Sequence, residues 1–218
     1  MDAMEPKIKK NLAVKAILII VGLALIVFGV IKIVGGLKNS GNSALINKFN
    51  EIYNLSADIG NNMKTAGNLL VGIANKENAK DYAGAAKDIE ASLSELNSAT
   101  SGINSLNNKI LEFKTMVGAV SDSSVKQSGL KLADLLEQKS VAFLNLINHT
   151  KQLIEPAKIY YEALATGKTG VYLDNNQIAD LSQKISEDNK TLTTLTPEMN
   201  AAAQDFAKAA KFQLKISQ

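Results

Sequence analysis

The chain has 218 residues, 46% of them hydrophobic, which suits one ordinary domain with a real core and argues against disorder as its dominant state. Its formal charge of +3 is unevenly placed: residues 1–38 carry six lysines against two acids, and residues 39–218 carry eighteen lysines against nineteen acids. The larger part is therefore near neutral and lacks the basic face of a nucleic-acid binder, and the absence of cysteine and arginine excludes disulfides, thiolate chemistry, sulfur-ligated metals and guanidinium forks.

Residues 1–11 form a short segment expected on the cytoplasmic side, followed by an apolar run. From Ala16 to Ile31 no charged or strongly polar side chain occurs. The apolar character reaches from Leu12 to Val34, through Gly22 and Phe28, when Lys15 and Lys32 extend toward lipid headgroups. A helix rises ~1.5 Å per residue, so these positions span about 34 Å against a ~30 Å hydrocarbon core. The run is too long for the apolar region of a cleaved signal peptide, and no small-residue pair follows it. It reads as an uncleaved transmembrane signal anchor, with the lipid bilayer as its partner. Lys7, Lys9, Lys10 and Lys15 precede it, while Lys32, Lys38 and Lys48 follow more sparsely. Positive residues are retained in the cytoplasm, so the remainder is expected outside it, in a periplasm or on a cell surface. Residues 35–43, small and polar, read as a flexible hinge with Ser43 as a helix N-cap.

Residues 44–218 carry a hydrophobic repeat with alternating steps of three and four, the signature of long amphipathic helices. The first, at about 44–74, runs through Leu45, Phe49, Ile52, Ile59, Met63, Ala66, Leu70 and Ile73 before the polar turn Asn75–Asn78. The second, at about 79–120, uses Ala86, Ile89, Leu93, Leu96, Ala99, Ile103, Leu106, Ile110, Phe113 and Val117. The third, at about 124–165, follows a cluster of capping residues and contains Pro156, which is expected to bend it. The fourth, at about 174–214, meets Thr196-Pro197-Glu198, where the cap-then-proline order predicts a kink or a short break. Four long helices with short turns predict an all-α, antiparallel, up-down-up-down four-helix bundle with coiled-coil-like packing. Ser56, Lys139, Thr150 and Asp188 fall on the apolar stripes, where a seam edge or bundle end is the expected setting and a buried register-setting role is the alternative.

The bundle's distal end gathers Tyr160 and Tyr161 with a loop containing Lys168 and Tyr172, where the tyrosines either cap the end of the core and plug the loop or form a candidate surface for a protein partner or self-association. Catalytic, cofactor and metal sites are not expected. Gly167-Lys168-Thr169 resembles the end of a phosphate-binding loop, but Glu162 stands where that loop needs glycine. His149, the one histidine, is expected on a helix surface, and the pairs Asp88/Glu90 and Glu187/Asp188 on solvated faces without the spacing of a di-iron bundle. The pattern therefore points to a non-enzymatic structural, scaffold or adaptor subunit of a membrane or envelope complex. In layout the chain is similar to the ligand-binding part of bacterial chemoreceptors, which implies a sensory module signalling through a partner subunit. It is also similar in layout to LemA-like anchored bundles.

Overall fold

The computed structural model describes residues 31–33, 43–211 and 214–216. They form an all-α fold with four long helices: α1 (Ser43–Asn78), α2 (Tyr82–Gly118), α3 (Ser123–Ala165) and α4 (Asn175–Ala209). Two three-residue strands, β1 (Ile31–Ile33) and β2 (Leu214–Ile216), pair antiparallel with Ile31 opposite Ile216. Of the anchor positions, Leu12, Lys15, Ala16, Gly22, Phe28 and Val34 lie outside the described residues. Ile31 and Lys32, expected at the end of the apolar helix, are instead extended, because β2 supplies their backbone partners. Among the described residues no helix is long and apolar enough to cross a membrane.

The helix ends follow local chemistry. α1 runs four residues past its expected end, taking in the expected turn Asn75–Asn78, and Lys76 holds its last turn by pairing with Asp88 at 2.7 Å and donating to the Gly84 carbonyl. It closes with Lys80 left-handed at φ 57°, the Asp81 amide donating to Lys76 O and the Lys80 amide to Glu77 O, a Schellman arrangement built on lysine where glycine is usual. Asp81, Asp122 and Asp174 then cap α2, α3 and α4, each accepting from backbone amides two or three residues on. Gly167 at φ 68° closes α3 by the same motif as Lys80, with the Lys168 amide on Ala163 O, so the Gly-Lys-Thr string is a helix terminator.

α4 passes through Pro197 without the expected break. Leu195 and Met199 on either side are both buried, and their packing outweighs one lost amide bond. α3 likewise continues through Pro156. α4 stops at Ala209, five residues short of the expected end, with Lys211 left-handed at φ 59°.

The chain forms two units, and each helix contributes a segment to both. The first holds residues 62–97 and 146–189; the second holds 43–61, 98–145 and 190–211 with the strand pair. In the first, small and aliphatic side chains, among them Ala66, Leu70, Ala85, Ala86, Ile89, Ile154 and Ala157, share the core with the fully buried Tyr161. Ser92 on α2 is fully buried and donates to Ala66 O on α1 at 3.2 Å. Small residues allow that close approach of two backbones.

The second unit is aromatic at its centre. Phe49, Phe113 and Phe206, from α1, α2 and α4, pack with ring centroids 5.3 to 6.4 Å apart, and two of these rings are fully buried. Gly129 admits α3 to this cluster: a Cβ there would come within 2.6 Å of a Val117 methyl. Lys48 on α1 bridges Glu112 on α2 at 2.6 Å, while Ile59 lies against Gly102, so α1 and α2 run in opposite directions here.

Candidate functional site

The residues expected at the distal end divide sharply. Lys168 and Tyr172 are exposed on the 166–174 connection, Tyr172 by 75%. Tyr160 is half-buried. Tyr161, expected on the same binding surface, is 0% exposed and is a core residue. The reason is positional: Ala133, Ser140, Ile147, Ile154 and Tyr161 recur every seven residues on α3, and all five are buried. A helix packed among several neighbours needs a wider apolar stripe than a two-helix seam, and this is its second row. Tyr161 stacks on Tyr82 at 6.5 Å, meets Tyr160 edge-on at 5.4 Å, and aims its hydroxyl at Glu77 Oε2 at 3.4 Å. Burial, reinforced by the Glu77 charge, pushes the Tyr161 hydroxyl well above the usual phenol range, and the same causes raise Tyr160. The structure thus brings together Tyr82, Tyr160, Tyr161 and Glu77 as an internal cluster, leaving Lys168 and Tyr172 as the exposed features.

The polar residues on the stripes also sort themselves. Lys139 and Thr150 are buried, not at a seam edge, whereas Ser56 and Asp188 are half-buried. Thr150 donates to Leu146 O within its own helix, which satisfies the hydroxyl locally. His149 and Asp188, expected on solvated surfaces, instead form a part-buried pair with Nδ1 and Oδ2 2.7 Å apart, linking α3 to α4 in the first unit. Their neighbour Asn189 is buried and donates to Ile185 O.

Lys139 is the feature with the most chemistry in it. Its side chain lies in the second unit, on the wall of a cavity of about 50 Å³. α1 contributes Phe49, Tyr53 and Ser56; α2 contributes Ile103 and Leu106; α3 contributes Leu136, Ser140 and Phe143; α4 contributes Met199 and Ala203. The wall is therefore apolar, with three aromatic rings and one ammonium group. Lys139 is 5% exposed, and its Nζ lies 5.9 Å from the Phe143 ring centroid. Burial disfavours the charged amine and pushes its pKa down to about 8. Ser56 donates its hydroxyl proton to Ile52 O, and Ser140 donates to Asn107 Oδ1, tying α3 to α2 beside the cavity. Tyr53, whose hydroxyl burial raises, is the other titratable group on the wall. Tyr53, Ser56 and Ala57 are half-exposed on one turn of α1 and mark the cavity's mouth.

The sequence placed Lys139 on a core stripe but not in a void, because a repeat states which way a side chain points and says nothing of how well its neighbours fill space. Among the described residues no group of three or more histidines, aspartates or glutamates could hold a metal ion. No family model, no curated protein and no solved structure matches this chain.

Proposed function

We propose that this chain is a single-span membrane protein whose helical part works by binding, as a non-enzymatic scaffold or adaptor of a membrane or envelope complex. The observation that carries the reading is the uncharged run from Ala16 to Ile31 set directly before a helical bundle. The span is proposed within residues 12–34; the positions ahead of β1 alone would reach about 28 Å as a helix at ~1.5 Å per residue, close to a ~30 Å core. The lysine bias puts the N-terminus in the cytoplasm and the bundle, up-down-up-down in topology, on the far side of the membrane. The exposed Lys168 and Tyr172 are then the contact surface for a protein partner or a second copy. Nucleic acid and metal have no part in this reading.

The chain has no cysteine, so single cysteines report cleanly on topology. In intact cells a cysteine at Tyr172 should react with a membrane-impermeant thiol reagent and one at Asp2 should not; the reverse pattern rejects the orientation. A photoreactive residue at Tyr172 should give a discrete protein adduct in native membranes that the same residue at Val141, 57% exposed in the other unit, does not. Equal labelling from both sites removes the contact surface. A sensory bundle signalling through a partner subunit is the second reading, and the Lys139 cavity is what favours it.

A further inference from the structure

We infer that the outer face of α3 between Gln127 and Gln138, in the second unit, is a contact for the same face of a second copy of this chain, the two helices packing antiparallel. The contact needs neither the membrane anchor nor the surface at Tyr172.

Gln127, Leu130, Lys131, Asp134, Leu135 and Gln138 line one side of an open groove, and Glu198 and Ala201 of α4 line the other. Gln127, Lys131, Asp134 and Gln138 are exposed and follow one another in steps of four, three and four, the spacing of a helix seam. Symmetry identifies the occupant. When two copies of one helix pack antiparallel about a twofold axis, residues at equal distances on either side of the midpoint meet. About the midpoint between Leu132 and Ala133, Gln127 meets Gln138 of the second copy and Lys131 meets its Asp134, and each pair is made twice. The amides serve one another as donor and acceptor, and the ion pairs join opposite charges. Leu130 and Leu135 flank this seam. Parallel packing would instead set Lys131 on Lys131 and Asp134 on Asp134, so charge selects the antiparallel arrangement.

The charges are available for the purpose. Lys131 and Glu198 form no ion pair within the chain among the described residues. Asp134, with its side chain 55% exposed, holds Lys114 through Oδ1 and has a second oxygen for another cation. Glu198 borders the same groove and adds to the negative charge that Lys131 of the second copy meets. The face is smaller than a standard interface and its exposed ion pairs are each worth little, so the contact is reversible and forms at high local concentration. Packed helices cross, so they part beyond Gln127 and Gln138, and Val141 stands clear of the contact.

Without native cysteines, thiol cross-linking reads the register directly. Full-length chains carrying Gln127→Cys and Gln138→Cys, purified in detergent and mixed at high concentration, should be joined by a short bis-maleimide. Neither variant alone should be joined, because in the antiparallel pair each of these positions lies about 17 Å from its own counterpart at ~1.5 Å per residue, beyond the reach of the reagent. Lys131→Glu added to both chains sets glutamate against Asp134 and should abolish the product. Lys131→Glu with Asp134→Lys restores opposite charges across the seam and should bring the product back, while Lys114 keeps Glu137 within its own chain. All four positions are exposed, and each variant is checked for a normal thermal transition before cross-linking. The inference is overturned if the mixture gives no more product than either variant alone, or if Lys131→Glu leaves the product unchanged. It is equally overturned if the double charge reversal, normally folded, fails to restore it. Loss of this product leaves adduct formation at Tyr172 untouched, and loss of that adduct leaves this product untouched.

Discussion

The two units are built on the same three-and-four repeat yet have different interiors. Both pack alanine and aliphatic side chains, and they differ in their rings: the first has Tyr161 at one end of its core, and around Ser92 its helices are close enough for that hydroxyl to reach a carbonyl on the neighbouring helix. The second sets Phe49, Phe113 and Phe206 against one another at its centre, and the cavity beside Lys139 is lined in part by Phe49 and Phe143. Rings are rigid and large, so their shapes tile imperfectly, while small side chains let backbones close up. The same periodicity therefore accommodates both a close approach of two helices and a cavity.

Truncating the large buried rings should break both regions most severely. Phe113→Ala in the second unit and Tyr161→Ala in the first should each cost about 3 to 5 kcal/mol, read from denaturant melts. Tyr172→Ala, on the exposed connection, should stay within about 0.5 kcal/mol. A comparable loss at Tyr172 would mean that the assignment of Tyr161 to the core and Tyr172 to the surface is mistaken.

Lys139→Met should stabilise the second unit. Holding the amine near pKa 8 against its ordinary 10.5 costs on the order of 3 kcal/mol at pH 7, when both folded and unfolded chains are protonated there. Between about pH 8 and 10.5 the unfolded chain binds the extra proton, so wild-type stability rises relative to the variant and the gap narrows. Melts of the two proteins at pH 7 and pH 10 check both the sign and the window; a gap that widens with pH contradicts the buried ammonium.

Adding volume should separate the units more finely. Ala66→Leu in the tight seam should cost about 1 to 3 kcal/mol by overpacking, whereas Ala203→Val, on the cavity wall, should cost little or stabilise. The smallest effect is at the end of α1, where Lys80→Gly should gain about 1 kcal/mol by relieving a left-handed lysine.

Much of this was legible beforehand. Phe49, Ile52, Ile59, Ile103, Ile110 and Phe113 were all placed inward by spacing alone, and all are buried. Tyr161 could be read as a cap on the core or as part of a contact surface, and its burial decides for the core; the stripe did not include it because a coiled-coil seam is narrower than the face α3 buries, which needs a second row. Lys139 and Thr150 were placed at an edge on chemical grounds, since burying an amine is costly; Thr150 solves its part of that problem within its own helix. The His149–Asp188 pair joins residues 39 positions apart on different helices, a juxtaposition that needs the packing of α3 on α4. Of the kink or short break expected at Pro197, the break does not occur, because a local rule about one missing amide yields to buried neighbours on both sides. β2 carried no sequence signal at all, being three residues long and defined by its partner.

That strand pair has a mechanical meaning. Ile31 faces Ile216 at the outer end and Ile33 faces Leu214 at the inner end, so a tension drawing residues 31 and 216 apart loads the ladder at one end and parts it like a zipper, one rung at a time. Such a latch yields at low force before any helix is stretched, so a pull on the chain ahead of β1 first releases β2.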